Sequence, residues 1–275
     1  MHFHFDFSAV QVIWTLTFAA LLVLLVVLIG RDRARRFPLF TTAIVLMALR
    51  MLMSRMLYGR LAPLLSSEIF LAMADLAAIV SVLVLVEMAR RAFMGAKRVA
   101  WLVGTLILLA VAGVVVWKWG QWPAAQTVFA RSTLAVLMLM QLAAQKIDLA
   151  ADLLTIELGL LVVLLGRRFH AGWSSHTQKI VIGLSTTSIA QTAMRVILQQ
   201  IAQHTTVRSQ ADYERAMGLQ EKLLNANNAI YLAAIVWWIV WLWFDEKGAS
   251  PIPAEVSAEP LPESAPESEA PKADN

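Results

Sequence analysis

The sequence predicts an all-α, polytopic membrane protein: a bundle of seven transmembrane helices followed by a disordered tail. Three observations carry that expectation. Of the 275 residues, 59% are hydrophobic and only 15% charged, whereas soluble domains run nearer 45–50% and about 25%. Seven apolar stretches each reach the roughly 20 residues that a helix needs to cross a hydrocarbon core of about 30 Å. Lys and Arg then gather at alternate ends of those stretches, the pattern that sets membrane topology.

Span 1 covers about 7–30 and ends at RDRARR. The residues before it, MHFHFDFS, contain no Lys or Arg, unlike the basic start of a secretory signal peptide, so this span is expected to be retained. Span 2 covers about 37–58, and span 3 about 67–88, ending in ARRAFMGAKR. Span 4, about 99–119, has no charged residue from Val99 to Trp117, as suits a helix on the lipid-facing periphery. Span 5 is assigned to about 146–166. The longer stretch 126–166 has room for two short crossings of about 16 residues, but these fall below the usual length. No Gly or Pro marks a turn around Lys146-Ile147-Asp148, so one crossing preceded by an outer helical extension is preferred. Spans 6 and 7 cover about 179–201 and 225–244. Together, 1–245 forms the transmembrane domain.

The remainder, 246–275, includes PIPAEVSAEPLPESAPESEAPKADN, a composition that cannot bury a core and reads as a disordered tail. It is either solvated or a docking segment for a cytoplasmic partner.

Orientation follows from the basic clusters: Arg31, Arg33, Arg35 and Arg36 after span 1; Arg90, Arg91, Lys97 and Arg98 after span 3; Arg167, Arg168 and Lys179 after span 5. The positive-inside rule places the N-terminus outside and the C-terminus in the cytoplasm, with the cell (inner) membrane as the expected location. Trp117, Trp119 and Trp122 would form an outer aromatic belt, and Trp237, Trp238, Trp241 and Trp243 an inner one. The net charge of +4 therefore reads as contact with anionic membrane lipid, not nucleic acid. The absence of cysteine excludes disulfides and thiolate chemistry.

Three sequence blocks recur in order and in the same direction. LLVVLIGR at 24–31 returns as LLVVLLGR at 160–167. Thr41-Thr42-x-Ile44-x-x-x-Ala48-x-Arg50 returns as Thr186-Thr187-x-Ile189-x-x-x-Ala193-x-Arg195. LAAIV at 76–80 returns at 232–236. Helices 1–3 and 5–7 would then be parallel copies joined by span 4, a 3+1+3 arrangement of the kind found in some transporters. This layout is broadly similar to that of rhodopsin-like and sugar-transporter-like seven-helix proteins. The residue motifs do not follow: span 7 has no deep lysine for retinal, and spans 1, 2, 5 and 6 lack interior prolines.

The charges inside the spans are the candidate site. Arg50, Arg195, Asp75 and Asp152 fall at similar depths, reckoned at about 1.5 Å of rise per residue, and charges at that depth should face one another or water. In span 6, Thr187, Gln191, Arg195 and Gln199 recur every four residues as one polar stripe. In span 2, Arg50, Ser54 and Tyr58 share a face, as do Asp148, Asp152 and Thr155 in span 5. The expected geometry is a polar cavity open to the outside, with Arg50, Arg195, Asp75, Asp152 and Gln191 as candidate ligand-binding residues. An arginine fork suits a carboxylate or phosphate; equally, the charges could pair as interhelical ties. Glu157 reads as a proton relay or as half of an ion pair, with Lys146 one candidate partner.

Other chemistry is sparse. His2, His4 and Asp6 alternate, but a chain terminus makes a poor metal cage, and His170 and His176 read as solvated. No phosphate loop, HExxH or GxSxG motif occurs, so neither an enzyme, a metal site nor a cofactor is expected. The sequence favours a receptor-like protein that binds a small polar or anionic ligand from outside. A transporter of two three-helix repeats and a structural subunit without ligand are the other readings.

Overall fold

The computed structural model describes residues 9–57, 60, 62–93, 98–119, 122, 132–165, 175–204 and 210–245. Their regular structure is entirely helical: α1 (Ala9–Gly30), α2 (Arg33–Arg36), α3 (Pro38–Leu57), α4 (Pro63–Ala92), α5 (Arg98–Lys118), α6 (Thr133–Leu165), α7 (His176–His204) and α8 (Gln210–Trp243). The chain divides into Met1–Phe244 and Asp245–Asn275. The second unit contains the expected disordered tail, which lies outside the described residues, as do His2, His4, Asp6 and His170.

Five helices are long and apolar enough to cross a membrane: Val10–Gly30, Pro38–Leu57, Leu65–Ala92, His176–Gln203 and Asp212–Trp243. Their outward faces are apolar; Val26 is 67% and Ile29 68% exposed, a surface stable against lipid rather than water. These helices indicate an integral membrane protein. In the position of span 4, the described apolar stretch is the shorter Leu109–Lys118. The helix in the position of span 5 carries Lys146, Asp148, Asp152 and Glu157. It runs unbroken from Thr133 to Leu165, so no turn interrupts it at Lys146–Asp148.

Local chemistry sets the helix boundaries. Gly30 closes α1, and Asp32 adopts a left-handed backbone with φ of 54°, a conformation that Asp tolerates better than most residues. That bend feeds the single turn of α2 and returns the chain at Pro38. Pro at the first helical position forgoes only an N–H that would lack an intrahelical partner in any case, and Pro63 opens α4 in the same way.

Six helices close a ring. α1 packs on α3, α3 on α4, α4 on α6, α6 on α7, α7 on α8, and α8 back on α1, while α5 stands outside against α6. Between helices in lipid there is little hydrophobic drive, so close approach and interhelical hydrogen bonds matter most. Gly159 lets α6 meet α7: a Cβ there would overlap the Ser185 side chain. Gly183 likewise faces the indole of Trp238, joining α7 to α8. Ser185 Oγ donates to Thr155 O at 2.9 Å, across the same α6–α7 seam.

The apolar core lies toward the end of the ring that contains Gly30, Phe37, Met88, Ile180 and Leu242, here called the base. The opposite end is called the crown.

The three recurring sequence blocks do not present equivalent faces. Leu24 and Leu28 are fully buried, whereas their counterparts Leu160 and Leu164 are 59% and 75% exposed. Ile44 and Ala48 are buried, but Ile189 and Ala193 are exposed. True copies should pack through matching sides. A restricted Leu/Val/Ala alphabet makes such short matches common, and here they run along helices rotated differently about their axes.

Candidate functional site

α6 and α7 bring the charged residues together. Arg195 Nη1 lies 3.1 Å from Asp152 Oδ2, and its Nη2 lies 4.0 Å from Asp148 Oδ2. Asp148 and Asp152 are one helical turn apart, so one guanidinium spans both. The closer contact is short in distance but poorly aligned: neither Asp152 Oδ2 nor Arg195 Nη1 makes a geometrically sound hydrogen bond. It is best described as an ion pair without a directed bond. Ser188, on the next face of α7, donates a hydrogen bond to the Asp152 side chain.

Arg50 and Asp75 lie nearby, and their charges also act on Asp148. They do not pair with each other: no ion pair joins them among the described residues. Arg50 is exposed on α3, while Asp75 is half-buried with an Oδ1 that is sequestered and lacks a hydrogen-bond partner. The two arginines aligned by the sequence repeat thus have different surroundings.

Directly beneath this charged layer, toward the base, is a cavity of about 100 Å³ at the centre of the ring. α3, α4, α6, α7 and α8 all contribute to its wall. Asp152, Thr187, Ser188 and Gln191 supply polar groups, and Phe40, Tyr231 and Trp238 supply aromatic ones. Three members of the polar stripe on α7 follow one side of the helix: Thr187 and Gln191 line the cavity and Arg195 sits one turn above, while Gln199 is exposed. Arg195 itself is not a wall residue. Its guanidinium already faces two carboxylates, so the fork that sequence spacing offered to an anion is occupied from within the protein.

Glu157 remains half-buried on α6, with Oε2 lacking a hydrogen-bond partner. It does not pair with Lys146. Eleven residues separate them, about 16 Å along one helix, and Lys146 is engaged elsewhere. Lys146 Nζ donates to the carbonyls of Val116 and Trp119, and lies 4.8 Å from the Trp122 ring centroid. It satisfies the carbonyl end of α5 and ties that helix to α6, as cations do at helix C-termini.

The base contains contacts that the sequence reading did not anticipate. Glu87, buried on α4, accepts a hydrogen bond from Phe40 N at 3.0 Å and stands 3.5 Å from Arg91 Nη2. A carboxylate from one helix thereby caps the open N–H end of another. Arg91 also lies 4.9 Å from the Phe37 ring centroid. On the other side, Lys179 Nζ sits 3.2 Å from the Trp241 ring centroid, and Trp237 Nε1 donates to Lys179 O at 3.1 Å. His176 Nε2 is 3.0 Å from Phe244 O, so His176 is buried and bonded rather than solvated. Glu87 and Arg91 are four residues apart, which is a visible pairing signal. The cap on Phe40 N requires α3–α4 packing that spacing alone does not give.

No protein-family model matches the chain, and no match is found among curated proteins or solved structures. The functional reading therefore stands on this geometry.

Proposed function

We propose that this is a non-catalytic, receptor-like membrane protein that binds a small polar ligand in the cavity at the centre of its helix ring. The observation that supports this most is the cavity itself: a polar and aromatic chamber with a carboxylate in its wall, roofed by an ion pair that can rearrange. Structural ion pairs alone need no such chamber. At about 100 Å³ it is smaller than the roughly 300–1,000 Å³ of drug-sized sites, so the ligand has only a few heavy atoms.

On this reading the chain makes seven crossings, with the base and its basic clusters facing the cytoplasm and the crown facing outside. Ligand then enters past Asp148 and Arg195, and a shift in α7 or α8 is passed to the cytoplasmic loops and tail for a partner to read. Continuous helices favour this reading over transport, since α6, α7 and α8 pass the cavity without the breaks of discontinuous transport helices.

The transporter reading has one observation in its favour. The ring order α1-α3-α4-α6-α7-α8 has the connectivity expected of two parallel triplets, α1-α3-α4 and α6-α7-α8, joined through α5.

A thermal-shift screen of detergent-purified protein with small ions and neutral solutes tests binding. A ligand specific for the folded state stabilises it by about 2.7 kcal/mol at one hundred times its Kd. Flux assays in proteoliposomes then divide the readings: saturable binding without uptake supports a receptor, and ligand-specific uptake supports a transporter. No stabilisation by any probe would leave the charges as helix ties only.

A further inference from the structure

The hydroxyl groups around the cavity share one property: their protons are already donated. Thr155 Oγ1 donates to Ala151 O at 2.6 Å, Thr187 Oγ1 to Leu184 O at 2.8 Å, and Ser81 Oγ to Ala77 O at 2.9 Å. Ser188 donates to Asp152, and Tyr231 to Met47 Sδ. A hydroxyl has one proton and two lone pairs, so each of these five groups keeps only acceptor capacity for a further partner. The Trp238 N–H is likewise engaged, with Ile180 O at 3.3 Å. Among the lining side chains, Gln191 alone retains donors without a bonded partner. The charged group in the wall is a carboxylate, and the aromatic rings of Phe40, Tyr231 and Trp238 attract positive charge at their faces.

From this we infer that the cavity accepts a small organic ammonium ion, with Asp152 as its counter-ion. Resting on the reading of the cavity as a binding site, this inference names the class of its ligand. An ammonium head brings several N–H donors and no acceptor, the complement of this wall; a carboxylate or phosphate would meet acceptors almost everywhere. A water molecule takes about 30 Å³ of liquid, so a volume of about 100 Å³ holds a guest of roughly two to four heavy atoms, from methylammonium upward to protonated ethanolamine.

Binding of this kind also supplies a switch. The guest and Arg195 compete for Asp152. Arg195 already reaches toward Asp148, 4.0 Å from its Nη2, so the guanidinium transfers one turn outward along α6 as the ammonium takes its place. Asp148 does not line the cavity, yet it would contribute to affinity by receiving the displaced cation.

The test is a thermal-shift titration of the purified full chain with methylammonium, ethanolamine, acetate and acetamide at matched ionic strength. Saturable stabilisation by the two ammonium probes, and by neither of the others, is expected. Ala43→Leu, which fills the cavity from α3 without touching a charge, should abolish the response. Asp148→Asn should weaken apparent ammonium affinity about tenfold, equivalent to about 1.4 kcal/mol. Stabilisation by acetate or acetamide in place of the ammonium probes would overturn the ligand class while leaving the cavity a binding site. A silent panel, or the same ammonium response from Ala43→Leu as from the native chain, would overturn both. Ammonium binding unchanged in Asp148→Asn would overturn the switch.

Discussion

The two ends of the bundle handle buried charge differently. At the base, Glu87 is fixed by the Phe40 N–H at 3.0 Å, while the Trp237 and Trp238 N–H groups meet the carbonyls of Lys179 and Ile180. These are bonds to backbone, which cannot change partner without unwinding a helix. Toward the crown, Arg195 faces two side-chain carboxylates, one close but poorly aligned and one at 4.0 Å. Partners of that kind can be exchanged by rotamer changes alone. The contrast teaches that partners at the base are fixed by backbone, whereas those around Arg195 are side chains that can be exchanged.

The largest effect should come from removing one partner in the crown. Asp152→Ala leaves Arg195 with only its distant carboxylate, and breaking a buried pair costs about 3 kcal/mol or more. Unfolding in detergent should register that loss, and Arg195→Met made in the Asp152→Ala background should recover part of it. No recovery would mean that Asp152 stabilises by contacts other than the pair.

Next in size are the seams of the base. Gly183→Ala drives a methyl into the Trp238 indole, and overpacking of this kind costs about 1–3 kcal/mol. Glu87→Ala removes the cap on α3 and the partner of Arg91, a loss of about 1–2 kcal/mol that should appear as faster amide exchange in the first turn of α3. Uniform loss of protection across the bundle would show that Glu87 acts globally instead.

The smallest effect is expected from Arg50→Ala. Its side chain is exposed on α3 and makes no described ion pair, so stability should change by within about 0.5 kcal/mol. A loss as large as that of Asp152→Ala would restore the symmetry between Arg50 and Arg195 that their surroundings deny.

Much of this architecture can be read from the sequence because lipid imposes a simple rule: long apolar runs become helices. Pro38 and Pro63 mark helix starts within a few residues. The α7 stripe of Thr187, Gln191 and Arg195 is legible because a four-residue period places side chains on one face. What periodicity cannot give is rotation about the helix axis relative to neighbours. That is why Arg50 and Arg195, matched in the sequence, point into different surroundings, and why the match of Leu24 with Leu160 pairs a buried residue with an exposed one. Nor could it reveal which donor answers which acceptor. Lys146 was a candidate partner for Glu157, yet it turns to the carbonyls that end α5, because a helix end is a concentrated negative charge close at hand.

α8 runs from Gln210 to Trp243 without interruption. At about 1.5 Å per residue, its first residue lies about 30 Å along the axis from Tyr231, which touches the cavity. A stiff rod of that length acts as a lever. A tilt of about 5° where Tyr231 and Trp238 meet the chamber would displace the distant end by about 2.6 Å, by trigonometry on that rise. A paramagnetic or fluorescent tag near Gln210 would therefore work as a pointer on a dial, magnifying small movements at the chamber wall.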